Sequence, residues 1–477
     1  MARISEYFNL GKTQSELDFV DVFTDRDIRL FIDPYAVSLL PGKWSQDAHG
    51  LLMTFFQKVI DSIRSNRAPD ARELLSHLSE PEETRLGMTR EGSDGAGVGP
   101  AQAAAIYQAL AKSSAVKHGF LNALEECELM IPGVGQDKIS DLSTNIIRSK
   151  LIEYTNEQCL LHDIPTQNVA AGAVFSQDSH TWEGVYADLP IVNGASLLMV
   201  PKAIVRFRSL YDHQQYYRQF VLNYLRAEAL SAGSSLVRAL KNGKRVVYKK
   251  DLQAEFPCSK EFLFEFSQKR PEVLEDYRES LKRLHAKGQK SLLSTEDQAE
   301  VAAALRQSLR NIPVGTDAAT QYHRLMIGVV EMVFYPQLIR PVKEREIHQG
   351  RKRIDIVMEN AASEGIFLRL PNVRRVPCAY VAIECKNYSS DVANPELDQL
   401  AGRFSFQKGK VGFLCCRNIN NRELFLERCR DTFRDDRGLI VLLDDQVVDE
   451  LLSLIERHRR DDLDARISEL VNQVCLA

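Results

Sequence analysis

The sequence lacks both a Cys-x-x-Cys pair and a hydrophobic run of about 20 residues, the length that a membrane span requires. Its nine cysteines are scattered and its ten histidines show no clustered spacing, so a structural zinc site is not expected. The first eight residues lack the apolar core of a secretory signal. We therefore expect reduced thiols, a cytoplasmic location and no membrane partner.

The sequence also has no large excess of either charge. It contains 61 Lys and Arg residues and 65 Asp and Glu residues, which gives a formal net charge of −4. A surface that binds nucleic acid must therefore be local. With 44% hydrophobic and 26% charged residues the composition is that of a globular protein, and 477 residues indicate two or three domains.

The first region, residues 1–200, is expected to be an α+β domain. Two β-hairpins are predicted in it. One joins Asp18–Phe23 to Ile28–Ile32 through the polar turn at residues 24–27, and the other spans Leu189–Val200, where Asn193-Gly194 supplies the turn.

The second region, residues 201–316, is expected to be mainly helical and basic. Residues 201–290 contain 19 Lys or Arg and 10 Asp or Glu, with aromatic residues interleaved. This composition suits contacts with phosphate groups, which makes the region a candidate for nucleic-acid binding. An equally supported interpretation is a solvated helical face whose aromatic residues lie in the core.

The third region, residues 317–477, alternates short apolar strands with helices. Helices are predicted at 317–335, 395–407, 422–433, 447–457 and 463–474, and strands at 339–347, 353–359, 378–386, 411–416 and 439–443. Residues 361–375 form an irregular or helical insertion. The alternation favours a mixed sheet with helices on both faces, within an α/β multidomain protein.

Charged residues lie inside two of these apolar strands. In the strand at 378–386, side-chain alternation puts Glu384 and Lys386 on one face. Asp355 is flanked by isoleucines in the strand at 353–359. Buried charges need a partner or a metal ion, and two carboxylates on adjacent strands suit Mg²⁺. A nearby lysine could orient the attacking water or neutralise a phosphate group.

Asp355, followed 29 residues later by Glu384-Cys385-Lys386, resembles the Asp…Glu-x-Lys signature of the PD-(D/E)XK, or restriction-endonuclease-like, nucleases. The order of helices and strands also resembles the core of that family. The resemblance implies that Asp355 and Glu384 are metal ligands and that Lys386 is catalytic. It further implies that Glu331 of the first helix is a metal ligand and that Gln399 of the following helix belongs to the catalytic site. The sequence departs from the pattern in having isoleucine before Asp355 and a long insertion between the two motifs.

The resemblance covers about a third of the chain and implies a Mg²⁺-dependent endonuclease, with Mn²⁺ as a substitute, that cuts DNA. By analogy with bacterial restriction and anti-phage defence proteins, residues 1–200 would regulate or sense, and the protein would be a homodimer or a higher homo-oligomer. Two alternatives stay open: a catalytically silent nucleic-acid-binding scaffold, and a nuclease that acts on RNA. The charged residues could also form ordinary ion pairs at a strand end.

Overall fold

The structure, a computed structural model, describes residues 2–87, 100–286, 295–343 and 356–476. The chain is a mixed α/β protein in which helices predominate, and a five-stranded sheet lies near the carboxyl terminus. Within the described ranges, no helix is both long enough and apolar enough to cross a bilayer.

The amino-terminal region combines helices with small antiparallel strand pairs, β1 with β6, β2 with β3, and β4 with β5. The helices are α1 (Ile4–Tyr7), α2 (Pro34–Leu39), α3 (Lys43–Arg64), α4 (Ala68–Ser76), α5 (Pro100–Lys112), α6 (Ser114–Lys117), α7 (Cys127–Met130), α8 (Gln136–Ile146) and α9 (Arg148–Leu161). The strands are β1 (Phe31–Ile32), β2 (Gln167–Phe175), β3 (Trp182–Leu189), β4 (Ile191–Val192), β5 (Ala195–Ser196) and β6 (Val205–Arg206).

One predicted hairpin is confirmed and the other is wrong. Strands β4 and β5 are joined by Asn193 and Gly194, which have φ values of 51° and 83°, as this turn requires. Asp18–Phe23 and Ile28–Ile32 do not pair with each other. Both segments bind the chain near residues 200–206 instead. Val20 N donates to Val200 O at 2.9 Å, and β1 pairs with β6.

The central region is mainly helical. Its elements are α10 (His213–Gln215), which continues through a π-helical turn into α11 (Leu222–Ala232), then β7 (Arg238–Ala239), β8 (Arg245–Val246), α12 (Lys249–Glu255), α13 (Lys260–Lys269) and α14 (Pro271–Ala286). Several of its aromatic side chains, including Tyr216, Tyr217 and Tyr277, are buried in the core that also holds the amino-terminal region. The two regions therefore share one hydrophobic core.

Helix α15 (Thr295–Asn311), from the end of the second region, packs in the same hydrophobic core as the carboxyl-terminal elements. From residue 317 onward the elements follow the predicted order. They are α16 (Ala319–Phe334), β9 (Leu338–Val342), β10 (Ile356–Asn360), α17 (Gly365–Asn372), β11 (Tyr380–Lys386), α18 (Asn394–Ala401), β12 (Val411–Cys416), α19 (Arg422–Arg434), β13 (Leu439–Asp444), α20 (Asp445–Glu456) and α21 (Leu463–Cys475). Helix α17 occupies the predicted insertion.

The five strands form one mixed sheet in the order β13-β12-β11-β10-β9. Strands β9, β10 and β11 are antiparallel neighbours, whereas β11, β12 and β13 run parallel. Helix α16 covers one face, where Phe334 stacks on Phe413 of β12 with ring centroids 4.8 Å apart. Leu400 and Phe404 lie against Gly412 on the opposite face. The sheet is thus covered on both sides.

The face of α16 that points away from the sheet packs against the amino-terminal region. Lys202 Nζ lies 2.7 Å from Glu331 Oε1, and both side chains are almost fully buried. Lys12 Nζ donates to Arg324 O at 2.9 Å. Gly328 permits this approach, because a Cβ atom there would lie 2.7 Å from Lys12 Nζ and 2.8 Å from Glu16 Oε1.

A second buried ionic contact joins β9 to the amino-terminal region. Arg340 has φ 50° and donates its backbone N–H to Asp18 Oδ1 at 3.0 Å. Its guanidinium binds Glu359 at 3.0 Å and Glu157 at 2.8 Å. Tyr154 donates to the other oxygen of Asp18 at 2.6 Å. Opposite charges that are buried together offset the desolvation that each would suffer alone.

Lys202→Met should destabilise the protein, most strongly above neutral pH. Burial raises the pKa of Glu331 to about 7 from 4.5, and Lys202 opposes this rise. The folded carboxyl thus keeps a proton that the unfolded one loses, so the free energy of unfolding falls as the pH rises through that window. Without Lys202 the pKa of Glu331 in the folded protein rises further, so the pH range over which the free energy of unfolding falls extends to higher pH. We expect a loss of about 3–5 kcal/mol at pH 8 and a smaller loss at pH 5, measured by urea unfolding.

Two further variants make this test specific. Adding Glu331→Gln to Lys202→Met removes the orphaned charge and should recover part of the loss at pH 8. Arg324→Ala breaks the ion pair with Asp163 on the exposed side of α16, where both side chains are more than half exposed, and should cost less than about 1 kcal/mol. An equal loss at pH 5 and pH 8 for Lys202→Met would contradict the assignment.

Candidate functional site

A buried group of charged side chains lies at the carboxyl end of β11. Strand alternation puts Glu384 and Lys386 on the same face of the sheet, as the sequence predicted. Glu384 is 1% exposed, and its Oε1 lies 2.7 Å from Lys386 Nζ. Arg403 Nη1 donates to the other carboxylate oxygen. The carboxylate is therefore held by one cation at each oxygen, which offsets its burial.

Gln399 of α18 joins this group through Lys386. Lys386 Nζ donates to Gln399 Oε1 at 3.4 Å and lies 5.9 Å from the centre of the Tyr388 ring. The structure thus brings together three of the residues that the sequence singled out, Glu384, Lys386 and Gln399.

Two glycines determine how closely α18 and the loop after it approach the sheet. A Cβ atom on Gly412 would lie 2.8 Å from Phe404, and one on Gly438 would lie 2.2 Å from the same ring. Phe404 consequently packs directly on the sheet backbone. Because Arg403 precedes it, the arginine reaches Glu384 from above the same face. Helix α18 ends at Ala401, earlier than the predicted residue 407.

Arg403 was not among the residues that the resemblance assigned to the site. Its side chain is 5% exposed, and Nε and Nη2 are buried without a hydrogen-bond partner among the described residues. Unused guanidinium donors at such a position can bind an anionic oxygen. The predicted helix 395–407 placed Arg403 four positions, about one turn, after Gln399, although α18 itself ends at Ala401.

Glu331 lies elsewhere, on the far side of α16. At about 100° per residue, it is half a turn away from Tyr322, nine positions earlier, whose ring packs under Arg417 at the end of β12. Glu384 points to the other face of the sheet from α16. The described contacts of Glu331 are with Lys202 of the amino-terminal region, so the structure does not bring it to Glu384.

Asp355 lies outside the described residues. Ile356, which follows it in the chain, is the Cα partner of Ile383, which precedes Glu384. Among the described residues, no group of three or more His, Cys, Asp or Glu side chains could hold a metal ion. The described part of the site therefore contributes one carboxylate, that of Glu384.

Two further ion pairs lie at the ends of the parallel strands and have structural roles. Arg417 Nε lies 2.9 Å from Asp445, and burial raises the pKa of Asp445 to about 6 although Arg417 opposes the rise. Asp444 binds Arg422 and accepts from Val447 N at 3.0 Å, which caps the start of α20. Arg417 is thus engaged within the fold.

Comparison with known families places one part of the chain. Residues 9–212 match the model of a domain of unknown function, DUF8370. This segment includes Asp18 and Lys202, which contact β9 and α16, and it ends well before the strands of the carboxyl-terminal sheet. No curated protein and no solved structure matches the chain.

Gly412→Ala should displace Phe404 and, with it, the neighbouring Arg403 of the candidate site. Its methyl group would lie 2.8 Å from Phe404 and 3.1 Å from Leu400, so the loop that carries Arg403 would have to move outward. We expect the free energy of unfolding to fall by about 1–3 kcal/mol, as for other overpacked cores. Urea unfolding measures this loss.

Gly184→Ala is the matched control, because Gly184 also lies in a strand but a methyl group added there would have no atom within 4 Å to contact. It should leave the stability unchanged or raise it by up to about 1 kcal/mol, since alanine restricts the unfolded chain. Equal effects of the two substitutions would show that Phe404 does not pack on Gly412 as described.

Proposed function

We propose that residues 317–477 form a Mg²⁺-dependent endonuclease domain that hydrolyses phosphodiester bonds of DNA. The observation that carries the proposal is the convergence of Glu384, Lys386 and Gln399 at the end of one central strand, with Arg403 behind them. The topology supports it, because a helix, three antiparallel strands, a second helix and a parallel strand resemble the core of the PD-(D/E)XK nucleases.

The carboxylate oxygens of Glu384 are a type of ligand that Mg²⁺ prefers, since this ion binds through one or two carboxylates and keeps several waters. Glu384 would be one ligand, and the sequence motif assigns the second to Asp355. Glu331, which faces Lys202, is not part of the proposed ligand set. When bound, the ion would supply positive charge for the phosphate and lower the pKa of a coordinated water.

The side chains of this chain would perform the remaining tasks. Hydrolysis joins a water oxygen to phosphorus, breaks one P–O bond to a sugar and transfers a proton to the leaving oxygen. Lys386 would orient the water or neutralise a phosphate oxygen, because its ammonium lies beside the carboxylate of Glu384. Gln399 holds Lys386, and Arg403 fixes the carboxylate from the other side.

Regulation by the amino-terminal region is part of the proposal. That region contacts α16 through the buried ion pair of Lys202 with Glu331 and β9 through the hydrogen bond from Arg340 N to Asp18, so a change in it could reach the sheet. A nuclease restrained by an appended region resembles bacterial restriction and anti-phage defence proteins. A homodimer or higher oligomer would supply two sites for cutting both strands.

The proposal predicts metal-dependent cleavage that single substitutions abolish. Plasmid, linear and single-stranded DNA and RNA would be incubated with the wild type, Asp355→Ala, Glu384→Gln and Lys386→Ala. We expect Mg²⁺ or Mn²⁺ to support cleavage of DNA, EDTA to prevent it, and each substitution to lower the rate by at least about 100-fold. Asp398→Asn is the control, because Asp398 is an exposed carboxylate of α18 paired with Arg437, and it should cut like the wild type.

A catalytically silent nucleic-acid-binding scaffold is the second candidate. It is favoured by the full pairing of Glu384 with Lys386 and Arg403, which is also the geometry of a structural ion pair. DNA binding without cleavage by folded wild-type protein would support the scaffold and contradict the nuclease. Cleavage of RNA alone would change the substrate and leave the site in place.

A further inference from the structure

A short hairpin concentrates the positive charge of the central region. Strands β7 and β8 pair across a turn at Asn242-Gly243. Residues 238–250 contain six of the 19 Lys and Arg residues found in residues 201–290, and none of the 10 Asp and Glu residues. The basic character of the region is therefore largely a property of this one surface feature, the basic hairpin, residues 238–250.

Hydrogen bonds fix the backbone of the basic hairpin. Leu240 N donates to Lys244 O and Gly243 N donates to Leu240 O, both at 2.9 Å, and Gly243 has the positive φ of 78° that the turn needs. At its base, Arg238 binds Asp251 at 2.8 Å and lies 5.6 Å from the centre of the Tyr248 ring. The side chains at the tip thus project from an ordered support.

One of the four lysines of the basic hairpin, Lys249, donates to Arg218 O at 2.8 Å, whereas the side chains of the other three are not engaged by the described residues. Lys241, Lys244 and Lys250 are exposed, and none forms an ion pair with a described residue. Other cations of the chain, such as Arg306 and Arg340, are each bound to two carboxylates. Like charges that lie within a Debye length, about 10 Å at 0.1 M salt, repel one another, and an anionic partner would stabilise them.

Apolar surface lies beside these charges. Tyr248 is 43% exposed and Leu240 is 37% exposed. Cations next to an exposed aromatic ring are the combination with which proteins contact the phosphates and sugars of nucleic acids. A two-stranded β-ribbon also has dimensions that fit the major groove of a duplex.

We propose that the basic hairpin binds the phosphate backbone of double-stranded DNA and so holds the substrate of the carboxyl-terminal site. This inference rests on the proposed function, because it assigns a binding surface to the same substrate. The contacts involve phosphates, so binding is independent of base sequence and weakens steeply with salt.

Removing two tip charges tests the assignment. Fluorescence anisotropy with a labelled duplex of about 20 base pairs, in EDTA and at several salt concentrations, would compare wild type with Lys241→Ala/Lys244→Ala. We expect binding to weaken about 10- to 60-fold at about 0.1 M salt and the slope of log K against log salt to fall by about two, one for each lost phosphate contact. Lys112→Ala/Lys117→Ala removes the same charge from exposed positions of α5 and α6 and should bind like the wild type.

The outcomes separate this inference from the nuclease proposal. Binding by the hairpin variant that equals the control overturns the inference, even when the wild type cleaves DNA. Hairpin-dependent binding of the duplex supports the inference, even when no DNA is cut and the nuclease proposal fails. Preference for single-stranded DNA, duplex RNA or an acidic peptide over duplex DNA in parallel titrations overturns the proposed ligand.

Discussion

Buried charged side chains at the contact between the amino-terminal and carboxyl-terminal regions hold these two regions together. Lys202 pairs with Glu331 across the boundary, and Asp18 accepts a hydrogen bond from the backbone N–H of Arg340. A buried ion that loses its partner costs several kcal/mol, so separating the two regions would leave Lys202 and Glu331 each without the other. Helix α16 is consequently packed on two sides, by the sheet and by the amino-terminal region, and only a narrow side that includes Arg324 is exposed.

Local patterns predicted the two carboxyl-terminal parallel strands, β12 and β13, well because every residue in them is buried. Strand β12 was predicted at the residues where it occurs, and β13 differs by one residue, since such strands read as continuous apolar runs bounded by polar turns. The hairpin predicted at residues 18–32 is wrong because the pairing of this segment is not local. Its strands are short, and their hydrogen-bond partners lie far along the chain, near Val200, which no local pattern reveals.

The candidate site shows the same limit. Strand alternation grouped Glu384 with Lys386, because that relation is local, and the family resemblance added Gln399 from the following helix. The unusual burial of Glu331 was also evident, but burial does not identify the neighbour, and the neighbour proved to be Lys202. Composition over residues 201–290 showed a basic region, and the sequence places most of the excess at residues 238–250, but not their arrangement as a hairpin at the surface.

The contact between Asp18 and Arg340 joins residues 322 positions apart in the chain. At about 5–20 residues per second, the ribosome would release Asp18 roughly 16–64 s before its partner is made. During that interval the surface that later receives β9 is open, with polar groups and hydrophobic side chains uncovered. Newly made chains therefore pass through a long stage in which a chaperone or a neighbouring copy can bind the surface of the amino-terminal region that later contacts β9.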